Sequence, residues 1–246
     1  ECSFLLTDLS GFTPLMEALD PGSLTALIND YIDGIVYIVF KHDGMVDRFV
    51  GDAVAVIFSA PVEQPDHRCR AVACARDLDR FTEDFKTARR AEGIPFGSTR
   101  IGVHSGEVII GNFGGRRLLD YRALGDPINT TARLESANKQ MGTRVCISAA
   151  TAAGCPGFEG RPVGELLLKG KRKVLLAYEP VTSAGVDAEQ LAGYRRAYTL
   201  LAEHDPDARS AFADLVKCDR SDGLARFHLA RLELGEFGTR IVLAQK

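Results

Sequence analysis

Two short apolar runs, each ending in an aspartate beside a glycine, constrain this chain more than any other feature. They are SFLLTDLSGFT, which carries Asp8, and MVDRFVGDAVAVIF, which carries Asp52. Runs of this length predict strands, and the Asp-Gly turns lift a carboxylate to the edge of a sheet. The second reads as a hairpin, MVDRFV and AVAVIF joined by Gly51-Asp52, with Asp52 at the tip. An isolated Asp at a strand end is usually a local cap. Two of them beside a glycine-bearing strand-to-helix turn suit the binding of divalent metals against phosphate oxygens.

Around these runs, strand pairs alternate with single helices. Apolar positions three and four apart predict a helix over GSLTALINDYIDGIVYIVFKH, and a second covers residues 66–91, between Pro65 and Gly93. A third begins at Asp126-Pro127, where Asp caps and Pro is tolerated at the first helical position, and ends near Gly142. STRIGVHSG and EVIIGNFG are expected to pair with each other. TRVCIS, a short Ala-rich helix closed by Gly154, and the pair ELLLKG and KVLLAYEPV complete the pattern. The fold class is α+β, an antiparallel-rich sheet with helices packed on one side. Three segments follow: a catalytic-sized domain over 1–181, a small polar linker over 182–187, and a wholly helical tail over 188–246. The tail is similar to a degenerate tetratricopeptide-like hairpin, serving as a packing appendage or an interaction module.

Composition excludes several classes. Of 246 residues 46% are hydrophobic and 26% charged, with a formal charge of −3, which argues against sequence-independent nucleic-acid binding. The longest apolar candidate, IDGIVYIVF, falls short of the ~18 residues a membrane span requires. No signal peptide is visible, and the start at Glu1 just ahead of a strand reads as that of a fragment. Cys2, Cys69, Cys74, Cys146, Cys155 and Cys218 show no CxxC spacing, so free thiols in a reducing, cytoplasmic setting are expected. His104, within a strand pattern, is expected to be structural.

The turn Leu9-Ser10-Gly11-Phe12-Thr13 aims backbone N–H groups outward at the strand end, a geometry that receives polyphosphate. Asn129 and Arg133, four apart, project from one face of a helix. A guanidinium there can stabilise charge developing on phosphorus, and an amide can hold a ribose oxygen. The alternative is that Arg133 is a surface residue paired with Glu135 or Asp126.

FLLTDLSGFT, VDRFVGDAVAVIF, RIGVHSGEVIIGNFGG, DYRALGDPINTTARLE and LLLKGK, in this order, resemble the class III nucleotide cyclases. The likeness is nearest to bacterial adenylate cyclase domains that follow a membrane-bound sensor. It implies a ferredoxin-like class III cyclase fold and conversion of ATP to 3′,5′-cyclic AMP and pyrophosphate. Asp8 and Asp52, with the Leu9 carbonyl, match positions that hold two Mg²⁺ or Mn²⁺ ions. Gly11, Phe12 and Thr13 match the phosphate-binding turn, Asn129 the ribose-orienting residue and Arg133 the transition-state arginine. Lys169 or Lys171 falls in the segment that contacts the phosphate tail. The resemblance also implies a homodimer, with metals from one copy and Asn/Arg from the other at each site.

At the two positions that select the base this chain departs from the family and carries Arg48 and Arg122. Arginine only donates hydrogen bonds, so the pair suits guanine O6 and N7 and leaves the adenine amino group without an acceptor. Asp120 is placed to supply one or to neutralise an arginine. GTP therefore stands as an alternative substrate, and a weakly active regulatory partner as an alternative role. A diguanylate cyclase relative is disfavoured because VGDAV lacks the second Gly and the second acid of its turn.

Overall fold

The structure is a computed structural model. It describes every residue except 116, 169, 172, 182–187 and 244–246, so the expected linker and Lys169 lie outside the described residues. In chain order the first half comprises β1 (Cys2–Leu9), α1 (Phe12–Ala18), α2 (Pro21–Lys41), β2 (Met45–Val50), β3 (Ala53–Phe58) and α3 (His67–Ala91). There follow β4 (Thr99–Gly106), β5 (Ile109–Gly115), β6 (Leu118–Leu124), α4 (Asp126–Met141), β7 (Val145–Ser148) and α5 (Ala149–Ala153). The rest is β8 (Gly160–Leu167), β9 (Leu175–Pro180), α6 (Ala188–Ala202), α7 (Ala208–Cys218), α8 (Gly223–Glu233) and β10 (Arg240–Val242).

Strand β1 is buried along most of its length because it lies inside a sheet covered on both faces. The strand order is β10-β8-β9-β7-β4-β1-β3-β2, with β4–β7 and β8–β10 parallel and the other pairs antiparallel. One face (Leu5, Leu9, Val54, Val56, Phe58, Ile101, Val103) packs against α2 and α3. On the other face, Cys146, Val163, Leu166 and Ala177 meet α4 and the tail helices, and Phe4 and Ile57 meet Ala123 and Ile128. Helices therefore cover both sides. The expectation of one side failed because β1 and β3 alternate two sets of apolar residues, each needing its own cover.

Two further expectations need correcting. Strand β4 does not pair with β5, because β1 and β7 occupy both of its edges. Instead β5 pairs with β6, the LLDYRAL run, in a separate two-stranded arm. Nor is the tail wholly helical: β10 adds to the sheet beside β8. The tail helices share one apolar cluster with α4, β8 and β9. Arg161 on β8 ties them electrostatically, pairing with Glu179 and with Asp222, whose carboxylate also accepts from the Ala225 N–H at the start of α8.

Helix α2 begins where the Asp20 carboxylate accepts from the Gly22 and Ser23 N–H groups. Contrary to the reading from its apolar run, this 21-residue helix is long and apolar enough to cross a membrane, with a window of mean hydropathy 1.3. Its inner stripe, Leu27, Tyr31, Ile35, Ile38 and Val39, is buried against the sheet core.

Helix α4 lies almost in backbone contact with β4. A Cβ on Gly102 would come within 2.4 Å of both the Glu135 nitrogen and the Thr131 oxygen. Backbone atoms there cannot rotate away, so Gly102→Ala must lift the helix. It is expected to lower unfolding stability by about 1–3 kcal/mol, read as a shifted denaturant midpoint.

Candidate active site

The end of β1 is where the sequence-predicted acids meet. After Leu9 the chain turns through Gly11, whose φ of 75° lies in the left-handed region that a side chain disfavours, and enters α1 at Phe12. Asp52 sits between β2 and β3, and its Oδ2 accepts from the Leu9 N–H at 2.9 Å. That bond pins the hairpin tip to the strand end beside Asp8. Burial pushes the Asp52 carboxyl above its ordinary range. The Leu9 hydrogen bond opposes this, and the nearby Asp8 charge adds to it.

Asp8 lies opposite Arg100 in the β1–β4 register and forms an ion pair with it. The same guanidinium donates through Nε to Glu135 on α4 at 2.8 Å, where the Glu135 side chain is only 7% exposed. Burial raises the Glu135 carboxyl, and Arg100 counters it. A chain Asp8–Arg100–Glu135 thus joins the strand end to α4. Sequence reasoning missed Arg100 and Glu135. Their signal is the cross-strand register, which only pairing reveals.

On α4, Thr131 and Glu135 are buried towards Gly102. Asn129 and Arg133 lie two residues away, about 200° round the helix, and so point away from the sheet. Asn129 is exposed and Arg133 half-buried, and Arg133 forms no ion pair with a described residue. The acids that could have made it a surface pair are engaged elsewhere: Glu135 with Arg100, and Asp126 with Lys171. The Arg133 guanidinium lies alongside Gly170, between Lys171 and the undescribed Lys169. Arg48 donates to Asp47 at 2.5 Å, and Arg122 pairs with Asp120 as foreseen. His104 donates to or accepts from Ser148 Oγ at 2.8 Å, and burial takes its pKa down to about 4, so it stays neutral and structural. All six cysteines are free; Cys2, Cys74 and Cys146 are buried.

The donor set fits Mg²⁺ or Mn²⁺. Among the described residues no group of three or more His, Cys, Asp or Glu could cage a metal. Two adjacent carboxylates at an open strand end match cations that bind through one or two acids and complete their shell with water and phosphate oxygens. A cleft of about 380 Å³, lined by Asp79, Arg144, Arg161 and Glu179 where the tail meets the sheet, shares no residue with this cluster.

Residues 1–178 match the adenylate and guanylate cyclase catalytic domain. The chain belongs to this family. Within it, the chain is 36% identical over 182 residues to an adenylate cyclase of Rhizobium meliloti, a match covering 74% of this chain and 27% of that protein. It is 27% identical to an adenylate cyclase of Anabaena cylindrica, covering 72% of this chain and 36% of that one. The chain thus spans roughly a quarter to a third of these relatives. Among solved structures, an adenylyl cyclase from P. aeruginosa superposes with TM-score 0.68 at 30% identity, covering 74% of this chain and 94% of the other. A guanylyl cyclase superposes with TM-score 0.64 at 29% identity, covering 76% and 93%. The class III cyclase fold expected from the sequence is therefore the fold observed.

Proposed function

We propose that this cyclase domain converts ATP to 3′,5′-cyclic AMP and pyrophosphate at sites shared between two copies of the chain. One observation carries the reading: the hydrogen bond from Leu9 to Asp52 gathers two carboxylates at one strand end. In the reaction the ribose 3′-oxygen bonds to the α-phosphorus, its proton leaves, and the bond to the bridging oxygen of pyrophosphate breaks. Mg²⁺ or Mn²⁺ held by Asp8 and Asp52, with the Leu9 carbonyl, would acidify the 3′-hydroxyl and neutralise phosphate charge.

The chain's own residues position the substrate around this centre. The turn through Gly11, Phe12 and Thr13 receives phosphate, and Arg100 orients the Asp8 carboxylate. Asn129 orients the ribose, Arg133 neutralises charge in the transition state, and Lys171 or Lys169 serves the phosphate tail. Sharing between copies is supported by the outward aim of Asn129 and Arg133. It is further supported by apolar surface on the β5–β6 arm, where Ile109, Leu118 and Leu119 are 70%, 77% and 63% exposed. A reducing, cytoplasmic setting is supported by the six free cysteines.

GTP is the second reading, favoured by the donors of Arg48 and Arg122 and by the guanylyl cyclase among the structural neighbours. Incubating the protein with either nucleotide plus Mg²⁺ or Mn²⁺ and separating products by chromatography decides between them. No cyclic product from either would leave only the regulatory role. Arg133→Ala is expected to cut turnover about 10²–10³-fold, the scale of one lost transition-state donor. Unchanged turnover would return that arginine to the surface.

A further inference from the structure

A bulge in β2 gives this site a residue that the sequence did not single out. The β2–β3 register runs Met45↔Ile57 and Val46↔Val56, then resumes at Arg48↔Ala55, leaving Asp47 as the extra residue. In an unbroken strand, residues 47 and 48 would point to opposite faces. Here they come together, and the Arg48 Nε–H donates to Asp47 Oδ2 at 2.5 Å. The Asp47 side chain is 7% exposed against 38% for Arg48. Its other oxygen takes no hydrogen bond from a described residue.

Asp47 lines a slot of about 70 Å³ walled by Phe4, Ala55, Ile57, Ile128 and Ala132, between the sheet and the first turns of α4. The lining is otherwise almost wholly apolar, as suits a flat heteroaromatic ring. The neighbours of two assigned site residues converge on it. Ile128 adjoins Asn129, while Ala123, next to Arg122, packs in the same cluster as Phe4, Ile57 and Ile128.

We propose that Asp47 is the hydrogen-bond acceptor that reads the exocyclic amine of adenine in this slot, with Arg48 as the adjacent donor to ring N1. The inference rests on the cyclase reading and names the residue that selects its base. Two arginines cannot accept, so a site built from them alone would reject adenine. The Asp47 carboxylate removes that objection. The Asp47 oxygen that Arg48 leaves free borders the slot and can accept from a donor placed there, and the adenine amine is such a donor. Guanine presents two neighbouring donors, N1–H and N2–H₂, which call for both carboxylate oxygens. Arg48 holds one of them. A single acceptor beside a donor matches the adenine edge.

The test compares ATP with purine riboside triphosphate, which lacks only the 6-amino group, on wild type, Asp47→Ala and Asp47→Asn. Wild type is expected to favour ATP in kcat/KM by about 10–100-fold, because a site built to bond an N–H rejects the analogue without it. Asp47→Ala should cost ATP more than the analogue and bring the two to the same kcat/KM. Asp47→Asn, which keeps the volume and one acceptor, should retain part of the preference. Equal losses on both nucleotides would make Asp47 a structural partner of Arg48 and overturn the assignment. So would a wild type that does not distinguish the two, which decides the matter even if Asp47→Ala fails to fold. GTP turned over faster than ATP would overturn it too. A wild type that cyclises no purine triphosphate overturns the cyclase reading itself.

Discussion

Asp52→Ala is expected to leave a folded protein whose metal-dependent cyclisation is at least ~10³-fold slower than wild type, and Asp8→Ala the same. Charge stabilisation by a bound cation is worth several kcal/mol, and each 1.36 kcal/mol is about tenfold in rate. In the proposed site each acid would supply half of the protein's anionic contribution to that binding. The fold should survive for reasons visible in the structure. Removing Asp8 does not strand Arg100, whose Nε still donates to Glu135. Removing Asp52 frees one backbone N–H, that of Leu9, at the open end of the strand. For Asp52 the sign of the pKa shift makes a further point. Burial raises its folded-state pKa, so above the unfolded value its ionised form destabilises the fold, increasingly until pH passes the folded value. Neutral Asp52→Asn, which keeps an acceptor for Leu9, should therefore unfold no earlier than wild type at neutral pH while losing turnover. Product formation with Mg²⁺ or Mn²⁺ and thermal unfolding on the same samples check both halves. Wild-type rates in either alanine variant would remove the metal assignment.

What the sequence made legible was local. Asp8, Gly11 and Asp52 belong to turns whose chemistry is written within a few residues, and α4 ends at Gly142 as expected, although its cap is Gly125, with Asp126 already the first helical residue and making no side-chain cap. Pairing over distance was not legible. EVIIGNFG looked like the partner of RIGVHSG because they are adjacent in sequence, yet β7, some forty residues on, takes the free edge of β4. Arg100 escaped notice for the same reason. Its meaning depends on standing opposite Asp8 and under Glu135, a coincidence of register and of the glycine that lets α4 approach. Asp47 was hidden by a bulge, which breaks the two-residue period used to read strand faces. The three-residue β10 has no apolar run long enough to declare itself and exists because β8 offers an edge.

Mixing Asp52→Ala with Arg133→Ala protein should restore cyclisation to about a quarter of the wild-type rate, although each variant alone is nearly inactive. In a two-fold dimer whose sites draw metal ligands from one copy and Arg133 from the other, a mixed dimer concentrates both lesions in one site and leaves the second whole. About half of randomly formed dimers are mixed, and each has one working site of two. The geometry that motivates this is the direction of α4. Its inner face, Thr131 and Glu135, is committed to Gly102 and Arg100, which sit on the same sheet as Asp8. Its outer face carries Asn129 and Arg133 away from that sheet, with no acid among the described residues paired to Arg133. An arginine so placed can serve a phosphate presented by a second copy more readily than one bound at its own strand end. The apolar β5–β6 arm, which leads directly into α4, gives the second copy a surface to cover. Recovered activity should rise with total protein concentration as dimers form. If the mixture stays as inactive as its components while wild type at the same concentration is active and dimeric, each site is complete within one chain, and Arg133 must reach Asp8 and Asp52 by a rearrangement of α4 instead.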